Sequence, residues 1–418
     1  MTIATTVTTV DVPVTPLAII GAGPIGAVAA LALSARGVPV RMFEARAPGT
    51  GKVDQRAIAV SWGSRLALEP LGIWSRLARV DPIERVSVSE RGAFGSIEFS
   101  ASDLGVPALG YVVDYGDLAR ACADALADAG IAVAYGTALV ALDAKRAPMR
   151  LTLAAETGAT YTLDAQCVVL ADGAEASGAD AALRRHERVY RQVALIGEVA
   201  CTRFRRAQAF ERFAGSGPLA LLPRRDHYAC VWVLESEPAR RLLDAGAPAQ
   251  ARALEAAAGP GFGAMQWLAA PRELPLALRW RTSDDEARVI PIGNAAQLLH
   301  PVAGQGFNLG VRDALALAAE WPAARRGSDI FDVRDDATVR DDLDRGVART
   351  ALDQALRRFR RARRVDRALT IALTDGMARI TAIDNPAAAV LRGVGLCVLD
   401  VVPNVRRRVL QTLVFGAP

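Results

Sequence analysis

A chain of 418 residues is long enough for roughly two or three domains around a large buried core. Apolar residues at 51% exclude general disorder, and a net charge of +5 is too small an excess of basic groups to point to nucleic acid. Five scattered cysteines with no CxxC pair and only three histidines argue against a metal centre and suit a reducing compartment.

Residues 1 to 14 form a Thr/Val-rich leader without periodicity. Val12 to Ala35 lacks charge and imitates a membrane span or signal peptide, but three glycines and a proline interrupt it and no basic residue precedes it. It reads instead as strand, turn and helix. Leu17 to Ile20 is a short apolar strand, Gly21-Ala22-Gly23-Pro24-Ile25-Gly26 is the turn, and Ala27 to Ala35 is the helix. A second strand, Val38 to Phe43, ends on Glu44, 18 positions beyond the last glycine. GxGxxG alone is a weak signal, but this βαβ context points to an adenine dinucleotide. Gly21 allows a tight turn, Gly23 admits a pyrophosphate, Gly26 permits close helix packing, and Glu44 accepts from a ribose diol.

Asp54 to Ala59 is expected to open a helix through Leu71; the plain reading makes Asp54 its cap, and the alternative turns Arg56 toward an anionic or electron-rich cofactor. Val86 to Ser100 alternates around Gly92 and Gly95, which predicts a hairpin. A helix is expected over Tyr111 to Ala129 with Asp114 as a capping residue, then strands at Ile131 to Leu142, Leu151 to Leu153 and Tyr161 to Leu170. The last strand closes on Ala171-Asp172-Gly173, a turn that also brings backbone and carboxylate toward a cofactor. Consecutive strand signals from Tyr190 to Glu235 imply a second sheet inserted into the first domain. Within it, Gly215 to Ala220 copies the glycine pattern without a following helix and reads as a hairpin turn, while Gly259 to Gly263 reads as a loop.

A strand at Pro275 to Thr282 leads to Arg288 to Ile292, another buried strand, which ends at Gly293. Gly304, Gly306 and Gly310 then recur before a helix start. Such glycines let backbone N–H groups approach a bulky ligand, and they equally suit a plain strand-to-helix turn. The rest is helical, and its arginine runs at 357 to 364 and 406 to 408 fit a solvated helix face, with a basic patch for an anionic membrane as the alternative.

Together, GAGPIG with Glu44, the DxRAIA segment at 54 to 59, Ala171-Asp172-Gly173, and GNAAQLLHPVAGQGFNLGVRDA at 293 to 314 resemble the class A FAD-dependent aromatic hydroxylases, in their ubiquinone-biosynthesis branch. The resemblance runs from about Leu17 to Gly416. It implies an α/β fold with a Rossmann-type FAD-binding domain like that of para-hydroxybenzoate hydroxylase, formed by residues 15–84, 106–184 and 284–345. An inserted antiparallel-sheet substrate domain would comprise 85–105 and 185–283, and a helical C-terminal region 346–418.

By the same resemblance, Gly21, Gly23 and Gly26 hold the pyrophosphate, Glu44 the adenosine ribose, and Arg56 lies near the flavin, while Asp172 is a further cofactor-binding residue. Gly293 and Asn294 face the ribityl and phosphate region, where the wider family carries Asp in place of Asn294. Pro301, Gly304, Gln305, Gly306 and Asn308 line the isoalloxazine ring. Two departures stand out: Ser177 is shifted from the family's DGxxSxxR pattern with no arginine at the expected distance, and Phe359 replaces a tyrosine.

The chemistry so implied belongs to the flavin. FAD is reduced by NAD(P)H and reacts with O2 to a C4a-hydroperoxide that hydroxylates a polyprenylated phenol. No side chain is firmly assigned as catalytic, and His300, the one histidine near the seat, is either a base or an orienting residue. A prenylated substrate implies a cytoplasmic protein, peripheral on the inner membrane through its C-terminal helices, with other ubiquinone-biosynthesis proteins as partners. A flavin dehydrogenase or oxidase of another small molecule, and a non-catalytic subunit of a biosynthetic assembly, stay open as alternatives.

Overall fold

The strand Thr15–Ile20 sits at the centre of a seven-stranded sheet, buried along nearly its whole length. In this computed structural model the described residues are 14–47, 56–92, 95–173, 183–215, 217–282, 287–301, 304–322, 339–381 and 385–416. Arg41–Glu44 and Thr160–Leu170 flank the central strand in parallel, and Val133–Tyr135 and Val289–Pro291 extend the parallel core. Their near-continuous apolar runs follow from cover on both faces. One face packs against the helices Pro24–Ser34, Tyr115–Asp128 and Gln305–Glu320, with Phe359 from a long later helix. The other carries Ala18, Ile20 and Phe43 against Leu142, Leu151 and Leu153.

A nine-stranded second sheet is built from Arg85–Glu90, Ser96–Ser100 and the strands between Arg184 and Thr282, with Gln297–Leu298 at its edge. The expectation of an antiparallel sheet holds for every neighbouring pair but one, since Gln208–Phe213 lies parallel to Arg85–Glu90. The 85–100 hairpin arrives from a separate part of the chain, so no tight turn forces that pair to be antiparallel. The helices Ser236–Asp244 and Ala247–Ala258 close one face of this sheet over Leu195, Leu219, Leu221 and Trp232.

A three-stranded sheet of Ala57–Ser61, Gly110–Asp114 and Asp81–Ile83 joins the two bodies, and it corrects two expected helices. In place of a helix from Asp54 to Leu71, Ala57–Ser61 is a strand and the helix spans only Trp62–Leu68, while Asp54 lies outside the described residues. The strand wins because Ile58 and Val60 pair across to Val113 and Tyr111, where β-branched residues pack well. Ser61 then caps the helix, its Oγ accepting from the Ser64 N–H at 3.2 Å. The second helix likewise begins at Tyr115 rather than Tyr111. Asp114 occupies the N-cap position without capping, because its carboxylate pairs with Arg224 at 2.5 Å.

Three helices end the described chain, Val339–Thr381, Pro386–Val401 and Pro403–Phe415. Among the described residues no helix is long and apolar enough to cross a membrane.

Candidate functional site

Where the central strand ends, Gly21 adopts φ +101°, and a Cβ there would lie 2.6 Å from the Ala171 carbonyl carbon and the Asp172 nitrogen. A Cβ on Gly26 would lie 2.0 Å from the Gly21 oxygen. These two glycines serve close packing, and Asp172 backs the turn through its main chain. Gly23 is different: a Cβ there would meet only the Tyr115 hydroxyl, at 3.8 Å. Its bare backbone adjoins the start of the Pro24–Ser34 helix, whose first-turn N–H groups are free for an anion.

Glu44 is fixed beside the same turn, with Oε2 accepting from the Ala22 N–H at 2.9 Å and Oε1 from the Arg46 N–H at 3.1 Å. Arg56 is exposed and stacks 5.4 Å over the ring of Tyr115, whose hydroxyl lies 3.8 Å from where a Cβ on Gly23 would be. Tyr115, between Arg56 and the glycine turn, is a neighbour that sequence reasoning did not single out.

The second half of the site starts at Gly293, with φ +56° and the exposed Asn294 on its turn. Gly304 takes φ +58° as N-cap of the Gln305–Glu320 helix, its N–H donating to the Pro301 carbonyl at 3.1 Å. A Cβ on Gly306 would meet nothing within 4 Å, so the first turn of this helix presents bare backbone. Asn308 is buried and committed to the protein: Oδ1 accepts from the Ser61 N–H at 2.9 Å, and Nδ2 donates to the Ala59 and Gly304 carbonyls at 3.1 and 3.2 Å. It therefore shapes the seat by locking the glycine turn to the Ala57–Ser61 strand. Gln305 donates to the Leu413 carbonyl at 3.4 Å, tying the seat to the last helix.

His300 is buried edge-on against Tyr190, ring centroids 5.3 Å apart, and the Tyr190 hydroxyl donates to Asp375 at 2.7 Å. Burial pushes its imidazole down to about 4, against an upward pull from Asp375, so the ring is neutral at pH 7.

The charge centre of the seat went unnoticed in the sequence. Asp313, fully buried, accepts from the Gly293 N–H at 3.3 Å, Gln297 Nε2 at 2.9 Å, Arg363 Nε at 2.8 Å and Arg367 at 3.0 Å. Burial would raise its carboxyl, but Arg367 and Arg363 hold it below the usual carboxylate range. Asp366 adds ion pairs to Arg312 at 2.8 Å and Arg363 at 2.6 Å. The expected solvated face is therefore corrected in part: Arg361 and Arg364 are exposed, but Arg363 is buried. Residues 363 and 367 lie four apart, on one side of a helix, and that side faces Asp313. The readable signal was an acid three residues after Gly310, inside an otherwise apolar helix face.

Two glycine-marked helix starts thus stand beside the parallel core of one mixed sheet. Residues 14–329 match a protein-family model described as FAD binding domain. The chain belongs to the FAD-binding domain family. It is 30% identical over 312 residues to 3-demethoxyubiquinol 3-hydroxylase of Escherichia coli, covering 72% of this chain and 78% of that one. It is 27% identical over 392 residues to ubiquinone hydroxylase UbiL of Rhodospirillum rubrum, covering 90% and 84%. The fold is shared with p-nitrophenol 4-monooxygenase PnpA from Pseudomonas putida, at TM-score 0.69 and 15% identity over 97% and 99% of the two chains. Klebsiella pneumoniae HpxO complexed with FAD gives TM-score 0.69 at 18% identity, again over 97% and 99%.

Within the family the chain is a class A FAD-dependent aromatic hydroxylase, as the sequence motifs implied. Its residues fit the cofactor on structural grounds. Bare backbone at Gly23 and a helix start suit the pyrophosphate, and Glu44 suits a ribose diol. Bare backbone at Gly306, with the positive end of a 16-residue helix, suits a flavin ring that gains negative charge on reduction. Ser177 lies outside the described residues.

Proposed function

We propose that this hydroxylase acts on the aromatic ring of a polyprenylated phenol in ubiquinone biosynthesis, with O2 as co-substrate and NAD(P)H as electron donor. Bound FAD supplies the activation of O2, and the protein positions the ring and excludes water. The observation that carries the reading is the match, at 30% identity, to a relative named for hydroxylation of a ubiquinol precursor. An apolar sheet face agrees with it: Ala194, Val233 and Leu276 form a cluster with Ile196, Val231 and Tyr190, and Tyr190 touches His300 beside the seat. Such a surface suits a greasy phenol better than a charged metabolite.

In this reading Gly21, Gly23, Gly26 and Glu44 serve the adenosine and pyrophosphate end of FAD, and Arg56 lies near the flavin. The 293–308 segment serves the flavin end, and residues 85–105 with 185–283 roof the substrate.

A lipid-soluble substrate also calls for docking at an anionic membrane surface. Val365, Leu369 and Leu373 are exposed at four-residue spacing on the long helix, as are Val390, Val394 and Val398 on the next. Exposed Arg361, Arg364, Arg407 and Arg408 supply basic groups on these and the last helix. V390S/V394S/V398S is expected to weaken co-sedimentation with phosphatidylglycerol vesicles. Quinone precursors extracted from cells lacking the protein test the substrate: accumulation of a prenylated methoxyphenol is expected, and an unaltered quinone pool would sink the assignment. Label from 18O2 in the product separates a monooxygenase from a dehydrogenase or oxidase.

A further inference from the structure

The site as described leaves one buried carboxylate unused. Glu211 lies in the strand Gln208–Phe213, with Ala220 and Val88 as its cross-strand partners. Alternation along the strand sends Gln208, Phe210 and Arg212 to the other face, where they line a cavity of about 270 Å³ under Phe262. Glu211 shares its own face with Ala209 and Phe213, and these two neighbours fix where it stands.

Ala209 packs with Ala57, Ala59, Val112 and Leu222. Ala59 borders the flavin seat, since its carbonyl accepts from Asn308 and its Cβ lies 3.5 Å from where a Cβ on Gly304 would be. Phe213 packs with Leu396, Leu410 and Val414 of the last two helices. Glu211 therefore sits between the seat and the C-terminal helices.

Its Oε1 is buried and has no hydrogen-bond partner in the protein, although the residue as a whole keeps intermediate exposure. The other charged groups on this face, among the described residues, are already paired. Glu90 binds Arg392 at 2.8 Å, and Arg224 binds Asp114 at 2.5 Å and Glu198 at 2.6 Å. His227, at the end of the next strand, faces Glu198 and Asp226. Across from Glu211 the pairing strands offer only Val88 and Ala220. With no cation facing it, burial alone pushes its carboxyl up to about 7. A sunken acceptor without a donor is costly unless a ligand brings one.

We infer that Glu211 binds the phenolic O–H of the substrate and takes its proton during ring hydroxylation, a role that rests on the phenol reading above. A phenol titrates near 10, like tyrosine, so a base poised near neutrality is matched to receive its proton as the ring reacts. As the phenol O–H bond breaks, its proton passes to a Glu211 oxygen and the oxygen's electron pair enriches the ring. The activated ring carbon takes one atom of O2 as an OH group while the O–O bond breaks. The C–H proton at that carbon goes to the departing oxygen, aromaticity returns, and Glu211 gives its proton back to the phenolic oxygen. Four electrons reduce O2, two from NAD(P)H through FAD and two from the ring C–H, and the second oxygen atom leaves as water.

The test uses FAD-loaded wild type, E211Q and E211D with 2-methoxy-6-prenylphenol as probe. In wild type, binding of the probe, followed by flavin difference absorbance, is expected to tighten as pH rises through about 7 and the acceptor carboxylate forms. E211Q should bind FAD normally, lose this pH dependence of probe binding and lose on the order of 10²-fold or more in kcat, while E211D keeps part of both. If wild type neither binds nor hydroxylates the probe, the phenol reading falls and this role with it. If wild type works and E211Q matches its kcat and pH profile, the role alone falls. Should E211Q fail to fold, the wild-type binding titration decides, and a probe affinity that does not change with pH across neutrality overturns the proposal.

Discussion

Asp313→Asn is the substitution that most directly probes how the seat is held. The carboxylate gathers donors from the Gly293 turn, Gln297, Arg363 and Arg367, all in a fully buried position. Asparagine keeps one acceptor oxygen and turns an NH2 group toward guanidinium donors, leaving Arg363 without its full counter-charge. Breaking a buried pair from one side costs about 3–5 kcal/mol. With an unfolding entropy of about 2.1 cal/mol/K per residue, a 418-residue chain loses roughly 3–6 °C in Tm. The turn at Gly293 should loosen as well, so FAD release, followed by flavin fluorescence during a thermal ramp, is expected to precede unfolding. The folded carboxyl titrates below its unfolded value near 3.9, so its stabilisation is complete above that pH and is lost as pH falls through the folded value. The deficit of the variant should therefore be full at pH 7 and shrink in strong acid. A variant with wild-type Tm and FAD retention at pH 7 would refute the reasoning.

The two glycine classes predict opposite outcomes. G26A places a Cβ 2.0 Å from a backbone oxygen and should prevent FAD-bound folding, whereas G306A meets open space and should leave Tm unchanged. FAD titration of G306A should still show weaker binding, about tenfold or 1.4 kcal/mol, if the ring lies against that backbone. For His300, the unfolded chain takes up a proton between pH 6.5 and about 4 that the folded chain refuses, so stability falls with pH across that window. H300Q should flatten that part of the denaturation profile, and an unchanged slope would argue against a buried neutral ring. R392M strands Glu90 in the core and should cost about 3–5 kcal/mol. Limited proteolysis should then cut first within residues 385–416.

The family, the cofactor and the α/β class were legible because their signals are local. A strand, three glycines, a helix and an acid at fixed spacing describe a ligand contact within about thirty residues. The chain read worst where partners are remote. Ala57–Ser61 is a strand because Gly110–Asp114 and Asn308 meet it, and no periodicity within 54 to 71 encodes those neighbours. Asp114 looked like a cap until Arg224, from the second sheet, claimed its carboxylate. The arginine run looked solvated because the acid it answers lies 50 residues earlier. Asn308 read as a ligand contact, yet its amide is spent on main-chain groups of the seat.

The two fingerprints also constrain each other through one side chain. Gly293 and Gly310 both face Ile25, which sits inside the GxGxxG turn itself; a Cβ on them would lie 3.1 and 2.8 Å from that side chain. Glycine at 310, and at 293 beside its φ of +56°, thus leaves room for the first fingerprint's isoleucine. That packing sets the distance between the Gly23 backbone and the Gly306 backbone, the two bare surfaces one extended dinucleotide would span. Asp313 lies one turn beyond Gly310 and binds the Gly293 N–H, so the same contact is clamped from behind by charge. The glycine-rich stretch at 293–310 therefore divides by physical cause: Gly306 presents bare backbone, Gly293 and Gly304 shape their turns with positive φ, and Gly293 and Gly310 also make room for Ile25.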